Sequence, residues 1–155
     1  MTAILSIKEL VTRLIKEYHT ADPFELAKSL KISVFYENLG TINGYYNNPF
    51  RMKQIHINEA LNEHETRYTC AHELGHALLH PNASTPFLRS KTLLSVDKLE
   101  TEANIFAVHL LIPDDIIIDN SGYTMEQLAR LLGYHQELIA LRLKEFTDFK
   151  NQKYL

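Results

Sequence analysis

Three features of this 155-residue sequence predict an α+β fold. Apolar residues repeat at helical spacing in both halves of the chain, and β-branched and aromatic runs are confined to residues 32–57. The helices flank those runs instead of alternating with them. The expected architecture is a small antiparallel or mixed three-stranded sheet packed on two long helices, with a short helical C-terminal part. The length suits one domain: a core over residues 1–122 and a helical extension over 123–155 packed on it.

Ile4, Leu5, Ile7, Leu10, Val11, Leu14 and Ile15 recur as one face of a helix over 4–18. Asp22-Pro23 supplies a cap and a first-turn proline for a short helix to about Leu30. Ile32–Tyr36, Thr41–Tyr46 and Gln54–Ile57 read as strands, the last two forming a hairpin around Asn47-Asn48-Pro49. A long helix runs from Glu63 to His80 and stops at Pro81, and residues 81–95, with two prolines and several Ser/Thr, read as an irregular loop. Asp97 caps a second long helix from Lys98 to about Leu111, closed by Pro113. Tyr123–Phe146 reads as two short helices broken at Gly133, followed by a polar tail, Thr147–Leu155.

Composition narrows the function classes. Sixteen Lys+Arg against nineteen Asp+Glu lack the basic footprint of a dedicated nucleic-acid binder. One cysteine, Cys70, excludes an internal disulfide, fits a reducing cytoplasm and reads as a small buried hydrophobe. No secretory leader and no membrane-length apolar run is evident, so the expected setting is cytoplasmic and free of membrane.

The chemistry concentrates in His72-Glu73-Leu74-Gly75-His76, an H-E-x-x-H sequence on the first long helix. At about 100° per residue the two imidazoles lie roughly 40° apart and one turn along, so both can grip one ion. Glu73 lies about 100° round, where it can reach an attacking water without being a ligand. Cys70, Leu74, Ala77 and Leu78 form the opposite, packing face. A catalytic zinc site wants a third protein ligand and one open position. His80 is about 12 Å along the axis from His72, too far to share the ion, and reads as a C-terminal histidine interacting with the helix dipole.

Glu102 is the expected third ligand. Leu99, Ile105, Phe106 and Leu110 fall within about 80° of it, and a carboxylate amid an apolar stripe is costly unless paired or metal-bound. Glu100 lies about 160° away, beside Asp97 and Asn104, and reads as solvated. For the oxyanion, His109 on nearly the Glu102 face and Tyr45, Tyr46 or His56 from the hairpin are the open candidates. Zinc is the default metal for such ligands, with manganese or iron as alternatives.

Residues 69–80, the Glu100–Ala107 segment and Leu111-Ile112-Pro113, with the Gly44–Tyr46 and Ile55–Asn58 hairpin before them, resemble the ImmA/IrrE metallopeptidase family over roughly residues 20–145. The resemblance implies a gluzincin-like zinc endopeptidase with His72, His76 and Glu102 as ligands and Glu73 as general base. It implies cleavage of a helix-turn-helix repressor of a prophage or integrative element. The chain is too short for the added domains of IrrE-type members, so the ImmA-like branch is nearer. The expected partner is therefore a protein substrate, without direct nucleic-acid contact and in an oligomeric state the sequence leaves open.

The competing readings are a DNA-binding regulator, or a non-proteolytic metal-dependent one that sequesters a repressor. Gln127–Tyr134 and Leu138–Leu143 have helix-turn-helix cadence. Yet residues 121–155 carry Arg130, Arg142, Lys144, Lys150 and Lys153 against Glu126, Glu137, Glu145 and Asp148, a surplus of one, which gives little phosphate affinity.

Overall fold

The computed structural model describes residues 3–83, 85 and 93–153. Two short preludes lead to the sheet. α1 (Ala3–Tyr18) buries Ile7, Val11 and Leu14 along one face. α2 (Pro23–Ser29) opens where the Asp22 side chain accepts the Phe24 N–H at 2.8 Å, with Pro23 filling a position that needs no N–H.

β1 (Ser33–Glu37), β2 (Gly44–Asn47) and β3 (Gln54–Asn58) form a mixed sheet in the order β1-β3-β2. β1 runs parallel to β3, and β2 pairs with it antiparallel as a hairpin, with Tyr46 opposite Ile55. Because side chains alternate across a strand, Ile55, Ile57 and Tyr46 enter the core, while His56 takes the other face between the rings of Phe35 and Tyr45.

α3 (Glu63–Leu79) starts where Asn62 accepts the Glu65 N–H, and it crosses the core face of β2 and β3. α4 (Leu93–Leu111) lies along α3 and also meets α1 and a C-terminal helix. Close approach of α3 and α4 depends on small residues. A Cβ at Gly75 would stand 3.1 Å from the Phe106 ring and 3.2 Å from Ala103 Cα.

After Ile112, α5 (Asp114–Asp119), α6 (Met125–Leu132) and α7 (Gln136–Lys153) gather round Ile112, Ile117, Leu128 and Ile139. A reciprocal Thr124–Gln127 capping box begins α6, and Gly133, at φ 78°, ends it in the left-handed region. The buried Arg142 on α7 donates through Nε to the Ile112 carbonyl and through Nη2 to Asp114, which also accepts from Lys8 of α1. That cluster ties the C-terminal helices to the core.

The fold class agrees with the sequence reading, but four boundaries move. α4 begins at Leu93, so Asp97 lies inside the helix instead of capping it. α5 follows directly on Pro113, whose fixed φ starts a helix as readily as it ends one. Residues 147–153 of the expected polar tail are the last part of α7, and residues 154 and 155 lie outside the described residues. The second strand starts at Gly44, after residues expected to belong to it. Within the expected 81–95 loop, residues 84 and 86–92 lie outside the described residues.

Candidate metal centre

His72 and His76 stand one turn apart on α3, with ring centroids 4.9 Å from each other. The carboxylate facing them comes from α4 and belongs to Glu100. Its Oε2 is 3.0 Å from His72 Nε2, and its Oε1 is 3.1 Å from His76 Nε2. One ligand atom from each of these three residues lies within 4.8 Å of the others, and this is the group among the described residues suited to a metal ion.

This corrects the expectation for the acid. Glu102 points instead to His80, its Oε2 3.1 Å from His80 Nε2. The two glutamates differ by about 200° around the helix, so they cannot exchange places without turning α4. The bulky apolar stripe misled because α4 is covered on several sides, with Ala103 and every residue from Ile105 to Leu110 buried. The side facing α3 is marked by small residues: Ala103 and Ala107 share the stripe of Glu100, and Ala103 lies opposite Gly75. A signal for Glu100 was present in Glu100 and Asn104 at the same i, i+4 spacing as His72 and His76.

The outer contacts define which nitrogens carry protons. Asn104 Oδ1 lies 2.8 Å from His72 Nδ1 and accepts the Tyr68 hydroxyl as well. An amide oxygen only accepts, so His72 donates through Nδ1 and keeps a lone pair on Nε2. The carboxylate of Glu102 likewise requires His80 to donate through Nε2, leaving His80 Nδ1 as an acceptor. His76 Nδ1, 3.1 Å away, is then the donor, and His76 Nε2 also carries a lone pair. In these tautomers two nitrogen lone pairs and two carboxylate oxygens converge, a set that needs a cation between them. A divalent cation satisfies all four, and the donor set of two imidazoles and one carboxylate suits it.

Electrostatics is consistent with a site built for positive charge. Without a cation, burial works against charging His72, but the hydrogen bond that the charged ring donates to Glu100 and the negative charges of Glu73 and Glu100 outweigh it and raise its pKa. His76 moves the other way, lowered by burial and by the neighbouring His72 and His80. Burial would raise the pKa of Glu100, but its two imidazole partners hold it well below the usual carboxylate range.

Glu73 is buried beside this centre, and the Thr85 hydroxyl is 3.4 Å from its Oε2. Along α3 toward its N-terminus, a cleft of about 520 Å³ opens between α3 and the α6–α7 turn. Asn62, Glu65, Tyr68, Thr69, Arg130 and Tyr134 are among the residues lining it.

The other expected donors are placed elsewhere. His56 faces away from α3, with Nδ1 2.8 Å from Glu37 and Nε2 3.1 Å from Asn47, and Tyr45 stacks on it. Tyr46 does face α3, but its hydroxyl donates to the Pro81 carbonyl at 2.8 Å. His109 is buried near Arg142, Lys8 and Asp114, and its Nε2 has no hydrogen-bond partner among the described residues. Cys70 is buried, as expected, and burial pushes its thiol pKa up.

The Peptidase_M78 family model, described as an IrrE N-terminal-like domain, matches residues 27–144. The chain belongs to this ImmA/IrrE metallopeptidase family. It is 47% identical over 148 residues to "Uncharacterized immunity region protein 2" of Bacillus phage phi105, covering 94% of this chain and 92% of that one. It is 30% identical over 154 residues to "Metallopeptidase ImmA" of Bacillus subtilis (strain 168), covering 96% and 90%. In three dimensions it resembles a Mycobacterium tuberculosis transcriptional regulator with TM-score 0.62 at 19% identity. That likeness covers 89% of this chain and 46% of the other, and it concerns the fold. ImmA/IrrE membership implies a metal ion, in keeping with the convergence of His72, His76 and Glu100. Among the described residues, no helix is long and apolar enough to cross a membrane.

Proposed function

We propose that this chain is a zinc-dependent endopeptidase of the cytoplasm that cleaves a helix-turn-helix repressor of a prophage or mobile element and so relieves repression. The observation that carries the metal chemistry is the convergence of His72 Nε2, His76 Nε2 and both Glu100 oxygens, each imidazole having its proton held on the far side. The repressor as substrate rests on the immunity-region and ImmA relatives.

A zinc ion bound here would acidify water toward pKa ~7 and polarise the scissile carbonyl. Glu73, adjacent in sequence to His72 and buried, accepts the proton of the attacking water and returns it to the leaving amine. An extended substrate segment adds to the outer edge of β2. The Asn58 N–H donates to the Asn43 carbonyl, so by alternation residues 45 and 47 face β3, while Gly44 and Tyr46 turn their backbone groups outward. The cleft beside Tyr68 then lies next to the metal centre and takes side chains of the same segment.

The test is to mix the purified protein with a candidate repressor, with and without chelator. Paired fragments that appear only without chelator support proteolysis. Loss of repressor activity with the repressor intact supports sequestration instead. Glu73→Gln is expected to keep the metal and lose cleavage, and a variant that still cut would remove Glu73 from the base role.

A further inference from the structure

We infer that His80 and Glu102 are positioning residues that hold His76 in the tautomer a metal requires. The inference rests on the metal centre proposed above, but not on peptide cleavage or the identity of the substrate. Three side chains form a line: Glu102 Oε2 to His80 Nε2 at 3.1 Å, then His80 Nδ1 to His76 Nδ1 at 3.1 Å. A carboxylate has no proton to give, so His80 donates to Glu102 through Nε2, and a neutral His80 offers a lone pair at Nδ1. His80 then accepts from His76 Nδ1, which favours the His76 tautomer with its lone pair on Nε2 over the one that donates Nε2–H to the Glu100 carboxylate.

The line is shielded from water: His76 is fully buried, and the side chains of His80 and Glu102 are 8% and 19% exposed. Because His80 is placed by the end of α3 and Glu102 by α4, the line crosses the same helix pair as the metal centre. It parallels the Asn104 contact that fixes His72, so each imidazole has its own support: an amide behind His72, and a histidine backed by a carboxylate behind His76. Such outer contacts commonly change metal affinity by about 10–100-fold when removed.

The tautomer can be read in the metal-free protein by nitrogen-detected NMR of the histidine rings. In the metal-free protein the Glu100 carboxylate competes for a proton on Nε2, so the share of His76 protonated on Nδ1 is expected to be larger in the wild type than in Glu102→Ala. A share unaltered or raised in Glu102→Ala overturns the proposal. Zinc affinity, measured against a chromophoric chelator, is expected to weaken about 10–100-fold in His80→Ala and in Glu102→Ala. The double variant is expected to be no weaker than His80→Ala, since Glu102 acts only through His80. Single variants within threefold of wild type, or losses that multiply in the double variant, overturn it. Glu100→Ala separates the two readings: zinc retained by that variant refutes the metal centre, while the ring tautomer still decides the role of His80 and Glu102.

Discussion

The Thr85 hydroxyl accepts the outward-facing N–H of Tyr46 at 2.6 Å and lies 3.2 Å from the carbonyl of the same residue. Both backbone groups that β2 turns outward at this position are therefore engaged by one side chain, which also stands near Glu73. An extended peptide adding to β2 must displace it. Thr85→Ala is accordingly expected to lower the KM for a protein substrate several-fold. Steady-state kinetics on a cleavable repressor check this, and an unchanged or raised KM would argue against pairing at Tyr46.

Glu100 and Glu102 make opposite predictions for metal content. Glu100→Ala removes both oxygens facing the imidazoles and is expected to leave the purified protein with almost no bound zinc. Glu102→Ala keeps all three ligands and should retain zinc when the ion is in excess. Elemental analysis after gel filtration distinguishes the two, and the reverse pattern would restore Glu102 as the ligand.

Asn104 holds His72 through its side-chain oxygen, which also accepts from the Tyr68 hydroxyl. Asn104→Leu should weaken zinc binding by about 10–100-fold, whereas Asn104→Asp, which keeps an acceptor, should weaken it far less. Tyr68→Phe leaves the His72 contact in place and should change affinity little. Chelator competition across the three variants provides the comparison.

Gly75 sets the distance between the two helices that build the site. Replacing it with alanine gains about 1 kcal/mol of helix propensity but forces a methyl against Phe106 and Ala103, an overpacking that costs about 1–3 kcal/mol. The expected result is a lower thermal midpoint, together with weaker zinc binding because Glu100 moves with α4. A Gly75→Ala protein as stable as wild type, with unchanged zinc affinity, would show that the helices can part without cost.

His109 makes stability depend on acid. Burial, with the positive charges of Arg142 and Lys8 outweighing that of Asp114, lowers its pKa to about 3. Between the unfolded value of about 6.5 and this folded value, the unfolded chain binds a proton that the folded chain does not. The folded state is therefore favoured fully above about pH 6.5 and loses stability as pH falls toward 3, by about 1.4 kcal/mol per pH unit for this one proton. His109→Gln should flatten the denaturation midpoint over that range relative to wild type. An unaltered slope would place His109 in contact with water.

Local chemistry made much of this protein legible in one dimension. The Asp22-Pro23 start, the 3.6-residue spacing of α1 and the H-E-x-x-H pair depend on neighbours within a turn, so their geometry follows from the order of residues alone. The hairpin of β2 and β3 was equally local, but the parallel pairing of β1 with β3 joins segments about twenty residues apart and was not specified by pattern. His56 shows the same boundary, since its face is set by strand alternation only once the side of the sheet that α3 covers is known.

The choice of acid lay beyond that boundary, apart from the hint in the Glu100 and Asn104 spacing. The sequence by itself determined two imidazoles on one helix face, a neighbouring glutamate and a second helix rich in carboxylates. Tertiary structure decided which carboxylate met them, because rotation of α4 about its own axis is governed by the contact of Gly75 with Ala103 and Phe106, and by what covers the helix elsewhere. A helix encodes the angles between its own side chains, but only its packing against another helix determines where those angles point.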